Sequence, residues 1–277
     1  MSNPLMNEKA ATHAAQAGWG APDPASGPAR RGTALGNLPI TDGPISSWRP
    51  KVMTVSGTAT ATGVLLVLLL STAVAGWIAA PDTTANFNGV SVAAIGFMVV
   101  GFVCAITLRF KPMWAPVLAP IYALAQGFFL GVISRMYDAA YDGIVLQAVG
   151  ATLAVFTVML LLYRSRIIKV TDRFRRIVVG ATVGLMLFYM VSFVFALVAG
   201  AHSVSFINSP SLLGIGFSLF AAGLAAMMLA VDFDLIEKGA AAGWPKGMEW
   251  YAAFGLLATL IWLYLEILRL LSKLQRR

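Results

Sequence analysis

The stretch that decides the fold runs from Asp232 to Leu271 and reads DFDLIEKGAAAGWPKGMEWYAAFGLLATLIWLYLEILRLL. It places Asp232, Asp234 and Glu266 in or beside two apolar runs that are each long enough to cross a bilayer. A carboxylate at membrane depth costs free energy unless it is paired, hydrated or protonated, so such a residue is a functional-site candidate by default. We therefore expect the function of the chain to lie in these two segments.

The composition around this stretch is that of a polytopic membrane protein. The chain has 277 residues, of which 58% are apolar and 12% charged, and its mean hydropathy is +0.79. Soluble domains have about 25% charged residues. Met1–Ala10 has no basic region followed by an apolar one, so we expect no cleaved signal peptide. The net charge of +8 is explained by basic loops that orient the chain, and nucleic-acid binding is not expected.

The apolar runs predict an all-α bundle of seven transmembrane helices. Residues 1–52 hold seven of the thirteen prolines and few large apolar residues, and they are predicted to form a disordered cytoplasmic tail. Residues 53–277 form the predicted membrane domain. Each apolar run reaches the roughly 20 residues that span the hydrocarbon; the runs cover about 58–80, 88–108, 113–134, 142–163, 177–199, 211–236 and 249–271.

The distribution of Lys and Arg predicts the orientation. The tail and the second, fourth and sixth connections hold fifteen basic residues, and the other three connections hold only Arg135. Basic residues gather in cytoplasmic loops, so the N-terminus is predicted to be cytoplasmic. Four further basic residues follow the last run, which conflicts with an outer C-terminus. We favour seven crossings over the alternative, a re-entrant last segment with both termini inside.

The three acids differ in their local partners. Asp234 lies four residues before Lys238 on the same helical stripe, so the two can form an ion pair. Glu266 lies three residues before Arg269, which could neutralise it. The neighbours of Asp232 at three and four residues are all apolar. Asp232 therefore requires a partner from elsewhere, water or a proton.

The fourth connection is strongly basic. A cluster of this size can attract anionic lipid with about 1 kcal/mol per basic residue close to the surface, although it could serve orientation alone. Thr171 is predicted to cap the helix that follows, with Asp172 in its first turn. The basic residues of this predicted lipid-facing loop are Arg164, Arg166, Lys169, Arg173, Arg175 and Arg176.

An enzymatic function is not predicted. The only histidines are His13 in the tail and His202 in an outer loop, and no HExxH, GxSxG or Walker pattern occurs. The single cysteine, Cys104, lies in an apolar run, where it can form no intramolecular disulfide and is expected to be a packing residue.

Two motifs near the C-terminus resemble those of the Bax inhibitor-1 (transmembrane Bax inhibitor motif) family. Asp232–Ile236 (DFDLI) and Tyr264–Leu268 (YLEIL) are similar to the paired C-terminal motifs of that family, and Ala123–Gly131 (ALAQGFFLG) looks like its third-helix signature. The likeness covers roughly residues 53–277 and is closest to the bacterial branch, which implies the bacterial inner membrane.

The resemblance implies a seven-helix bundle with the last helix central. It also implies a pH-sensitive di-acid site at Asp232 and Glu266 that gates a Ca²⁺ leak, with Ca²⁺ as the permeant or bound ion. An arginine from an early helix latches the acidic site in the family, and Arg109 is the basic residue positioned for that role here.

Three departures from the family bear on this site. Glu266 stands where the family usually has Asp, and Gln126 stands where many members have Glu. The gap between Asp232 and Glu266 is 34 residues and is wide for the family. With helices ending near Lys238 and starting near Pro245, the two acids would differ in depth by roughly 22 Å, which is too far for a direct pair. A direct pair requires that the inserted segment extends the two helices unequally beyond the membrane, or that the seventh helix is broken or displaced along the bundle axis.

The resulting hypothesis is a regulated cation leak that protonation of an intramembrane carboxylate switches. The alternative is a non-transporting protein that binds and modulates a membrane protease or another membrane partner, with the acids serving only helix packing. Membrane lipids are expected partners in both cases. The sequence leaves the oligomeric state open.

Overall fold

The computed structural model describes residues 52–80, 92–199 and 210–276 of the chain. The predicted disordered tail lies outside these residues except for Val52, so its disorder stays a prediction. The described part contains seven long helices, each long and apolar enough to cross a membrane, which confirms the predicted class. They are α1 (Val55–Ala79), α2 (Val92–Phe110), α3 (Ala115–Ala140), α4 (Ile144–Arg164), α5 (Asp172–Ala199), α6 (Leu212–Ala241) and α7 (Met248–Gln275).

Hydroxyl side chains define where three of the helices begin. The Thr54 Oγ1 atom accepts a hydrogen bond from the Gly57 N–H at the start of α1, and Ser211 does the same for Gly214 at the start of α6. The Thr171 hydroxyl accepts from the Phe174 N–H, 3.2 Å away, which confirms the predicted cap of α5. Each cap satisfies an N–H group that the first helical turn leaves without a partner.

Helices α1 and α3 approach each other closely because glycine lines their contact. A Cβ atom added at Gly131 would overlap the Ala73 carbonyl oxygen, and one at Gly127 would overlap the Leu69 carbonyl. In a membrane no hydrophobic driving force brings helices together, because lipid is as apolar as their side chains. Small residues instead let the helix backbones approach closely enough to pack. The Gly127–Gly131 spacing therefore lets α3 pack closely against α1.

Helix α7 is the most buried helix of the seven. It contacts α1, α3, α4 and α6. Leu257 joins a core cluster with Leu65 of α1, while Leu263 joins a second cluster with Leu229 of α6. In the apolar span of α7, 56% of the residues are buried, whereas 11% are buried in the apolar span of α5. Helix α5 packs mainly on α6. Polar side chains of α7 are therefore held away from lipid.

Candidate functional site

Asp232 lies in α6 with its carboxyl group turned toward α7. The residue is 6% exposed, and the Thr259 hydroxyl of α7 lies within hydrogen-bonding reach of its carboxylate. Gly255 stands one turn before Thr259, and a Cβ atom added there would lie 3.9 Å from Asp232 Oδ1. The second oxygen, Oδ2, has no hydrogen-bond partner among the described residues. The sequence expectation that no neighbour on its own helix would pair with Asp232 agrees with this arrangement.

Glu266 is as deeply buried as Asp232 but fully partnered. The Arg269 Nη1 atom lies 2.9 Å from Oε1 and 3.0 Å from Oε2 of the carboxylate. The Tyr189 hydroxyl of α5 donates to Oε1 at 2.9 Å, and the Trp262 indole N–H donates to the same atom at 3.3 Å. The predicted local pair of Glu266 with Arg269 is thus confirmed, and α5 adds a donor that the sequence did not reveal.

Arg269 is in turn fixed by Tyr189. Its Nη1 atom lies 3.0 Å from the Tyr189 hydroxyl oxygen, and its guanidinium lies over the tyrosine ring at 5.2 Å from the centroid. A cation over an aromatic face is attracted by the ring quadrupole, more so where water is excluded. Glu266, Arg269 and Tyr189 therefore form one network, which we call the Glu266 network.

Asp232 and the Glu266 network occupy different levels of α7. Asp232 meets α7 at Thr259, seven residues before Glu266, which corresponds to roughly 10 Å along the helix axis. Within the described residues, no hydrogen bond or ion pair joins the two carboxyl groups. The separation is smaller than the 22 Å estimated from the sequence, because α6 continues to Ala241 and α7 starts only at Met248.

These two carboxylates do not form the ligand set of a resident Ca²⁺ ion. Calcium takes six to eight oxygen ligands. Both oxygens of Glu266 face a guanidinium, and Asp232 contributes one carboxylate beside one hydroxyl. In the described part of the chain, no group of three or more His, Cys, Asp or Glu side chains is arranged to hold a metal.

Asp234 and its neighbours form a polar rim at the end of α6. The Lys238 Nζ atom lies 2.7 Å from Asp234 Oδ2, which confirms the predicted pair as an ion pair rather than an aligned hydrogen bond. Glu237 accepts a hydrogen bond from the Tyr163 hydroxyl at 2.5 Å and from Arg166 at 3.3 Å. The charge of Asp234 is therefore offset locally, in contrast to that of Asp232.

Arg109 and the basic residues of the fourth connection lie at the surface of the described bundle, whereas Gln126 is half-buried. Arg109 is exposed in the last turn of α2, and no contact joins it to either acid in the part of the chain that is described. Gln126 lies against Gly101 of α2. All six basic residues of the fourth connection are exposed: Arg164, Arg166, Lys169, Arg173, Arg175 and Arg176.

Two buried charges of α7 were missed by sequence reasoning. Glu249 is 5% exposed, and its Oε1 accepts hydrogen bonds from the Thr54 N–H at 2.9 Å and the Thr54 hydroxyl at 3.0 Å. A carboxylate near a helix N-terminus is stabilising. The Glu249 carboxylate, which belongs to α7, lies at the N-terminus of α1 and accepts hydrogen bonds there. The adjacent Met53 N–H donates to the Trp244 carbonyl at 2.6 Å, so the starts of α1 and α7 are joined.

Lys273 is the second of these charges. It is 2% exposed, and its Nζ atom donates to the Gly214 carbonyl at 2.8 Å and to Ser218 Oγ at 2.7 Å. In the sequence it resembled one of several trailing basic residues. Its spacing of seven residues from Glu266, two helical turns, was the available signal that it shares the buried side of α7.

Comparison with known proteins gives one match. A family model described as Bax inhibitor 1 like matches residues 3–276 of the chain. No curated protein and no solved structure shows a significant match.

Proposed function

The chain belongs to the Bax inhibitor 1 like family, and on that premise we propose that it is a regulated cation leak. The transported ion in this proposal is Ca²⁺, and the proton-sensitive group is the carboxylate of Asp232. The observation that carries the proposal is the Asp232 carboxylate, which is buried between α6 and α7 and has one oxygen without a partner among the described residues. Such an atom costs free energy that a proton, a cation or water relieves.

The switch acts at the contact of α6 with α7. A proton on Asp232 removes a charge that faces Thr259, so it changes the free energy of the contact between the two helices. The Glu266 network lies on the same helix, roughly 10 Å away. In this proposal Glu266 does not share a proton directly with Asp232, and the network instead holds α7 against α5 while Asp232 changes its charge.

The test is Ca²⁺ flux through the full chain reconstituted in liposomes. We predict that Asp232→Asn removes most of the pH dependence of the flux across the neutral range, because the variant keeps the shape and loses the titratable proton. Asp234→Asn is the matched control and is expected to have little effect, since Lys238 lies 2.7 Å from Asp234. An effect of Asp234→Asn larger than that of Asp232→Asn would reverse the assignment of the switch.

A second candidate follows from the Glu266 network. Because Glu266 is completely satisfied by protein donors, the acids could serve helix packing in a non-transporting protein that modulates a membrane protease or another membrane partner. This candidate predicts that folded wild-type protein gives no Ca²⁺ flux above that of empty liposomes at any pH. The same assay therefore separates the two functions.

A further inference from the structure

A cleft of about 670 Å³ opens between α1 and α4, at the end of the bundle that carries the basic fourth connection. Residues 55–66 of α1 and residues 156–164 of α4 form its walls, and Phe233 and Leu256 lie at its base. We call it the α1–α4 groove. Gly63 opens the α1 wall, because a Cβ atom added there would meet nothing within 4 Å.

The inner part of the groove is apolar and has the length of a lipid chain segment. Leu66, Phe156 and Leu160 line it together with the base. The distance along α1 from Thr58 to Leu66 is eight residues, or about 12 Å. One leaflet of hydrocarbon measures about 15 Å, half of the core thickness. The groove thus reaches through most of one leaflet.

The mouth of the groove is basic. Arg164 and Arg166 lie there with a single carboxylate, Glu237, which accepts from Arg166 at 3.3 Å. Arg164 is exposed and has no hydrogen-bond or ion-pair partner among the described residues. Within the part of the chain that the structure describes, the Arg164 guanidinium is thus unneutralised, and it lies above the apolar part of the groove.

Arg166 holds an unusual backbone position at this mouth. It has a φ of 57°, in the left-handed region, where the chain leaves α4. Glycine is the usual residue at such a helix end. An arginine in this region carries backbone strain, and strained positions concentrate at functional sites.

We propose that the α1–α4 groove binds an anionic phospholipid, with one acyl chain along Gly63 and Leu160 and the headgroup phosphate on Arg164 and Arg166. Guanidinium groups form charge-assisted hydrogen bonds with phosphate oxygens. Charge complementarity at the mouth selects the headgroup, and the apolar walls hold the chain. This binding does not depend on ion transport.

Photolabelling of the full chain tests the proposal. The protein is reconstituted in phosphatidylcholine vesicles with a trace of phosphatidylglycerol or phosphatidylcholine that carries the same acyl diazirine, and adducts are mapped by mass spectrometry. We expect phosphatidylglycerol to label residues 58–66 and 156–160 at least about fivefold more than phosphatidylcholine, from the attraction of one basic residue.

Two matched pairs of variants locate the site. The double variant Arg164→Gln with Arg166→Gln should abolish the headgroup preference. The double variant Arg173→Gln with Arg175→Gln removes the same charge outside the groove and should retain the preference.

Gly63→Phe should block labelling by both lipids, because the added ring fills the groove. Gly216→Phe, at a position where an added Cβ atom also meets nothing within 4 Å, should not block it. Arg166→Gly should weaken the preference while relaxing the backbone, so a folding defect cannot account for the loss.

Three outcomes would overturn the proposal. Equal labelling by the two lipids would mean that the arginines only complement the C-terminal end of α4. An equal loss in both arginine pairs would mean attraction to the basic surface without a site. Undiminished labelling of residues 58–66 in Gly63→Phe would mean that the chain does not lie in the groove.

Discussion

At the scale of single residues, the two intramembrane acids have opposite environments. Asp232 has one hydroxyl nearby and one oxygen without a partner. Glu266 has an arginine, a tyrosine and a tryptophan as donors. A satisfied buried charge pair is hard to disturb, while an unsatisfied carboxylate responds to any proton or cation that reaches it. Asp232 is for this reason the better candidate for a switch.

The Glu266 network should contribute strongly to stability through its pairing. We predict that Arg269→Met lowers the free energy of unfolding by about 3–5 kcal/mol, because it leaves a buried carboxylate without its cation. Adding Glu266→Gln should recover a large part of that loss. Reversible unfolding in mixed detergent micelles measures both changes.

Arg166→Met is the control for this experiment. It removes the cation from the ion pair with Glu237, where the two side chains are 79% and 51% exposed, and it should cost less than about 1 kcal/mol. If Arg269→Met costs no more than Arg166→Met, the Glu266 network is not a stabilising unit.

At the scale of elements, the contact between α1 and α3 depends on backbone proximity. The Gly131 Cα atom faces the Ala73 carbonyl so closely that no side chain fits between the helices. Interiors at native density do not absorb an added methyl group without movement. The position of α3, and with it the Tyr264–Ser134 hydrogen bond of 2.7 Å to α7, follows from this approach.

We therefore predict that Gly131→Ala destabilises the protein by about 1–3 kcal/mol through overpacking. Gly180→Ala in α5 is the matched control, because an added Cβ there meets nothing within 4 Å. The control should be neutral or stabilise by up to about 1 kcal/mol through helix propensity. Thermal unfolding in detergent compares the two, and equal midpoints would contradict the close contact.

At the scale of the whole molecule, α7 is attached to other helices at both ends of the bundle. Glu249 joins the start of α7 to that of α1, and Lys273 joins its end to the start of α6. One helix therefore links both faces of the bundle through buried charges. A change at Asp232 of α6, which faces Thr259 near the middle of α7, therefore acts on a helix that is held at both ends.

The sidedness of this bundle can be measured directly. With a cytoplasmic N-terminus, as the basic connections predict, seven crossings should leave the C-terminus outside. An alkaline phosphatase fused after Arg277 should be active, and a fluorescent protein fused there should stay dark. A fluorescent C-terminal fusion would indicate that the last helix does not cross.

The sequence by itself determined the number of spans and the identity of the local pairs. Apolar runs of spanning length are visible in the sequence, because every helix that crosses the bilayer needs about 20 predominantly apolar residues. The pairs Asp234–Lys238 and Glu266–Arg269 were predictable because residues three and four apart share a helix face.

Only the tertiary structure decided which partners reach the acids from other helices and how far apart the acids lie. Tyr189 reaches Glu266 from a helix 77 residues earlier in the chain, and Thr259 reaches Asp232 from the opposing helix. Glu249 and Lys273 look like surface charges in the sequence, yet they are buried against Thr54 and Ser218. Partners of this kind depend on the register between helices, which side-chain packing sets and the periodicity of one helix does not contain.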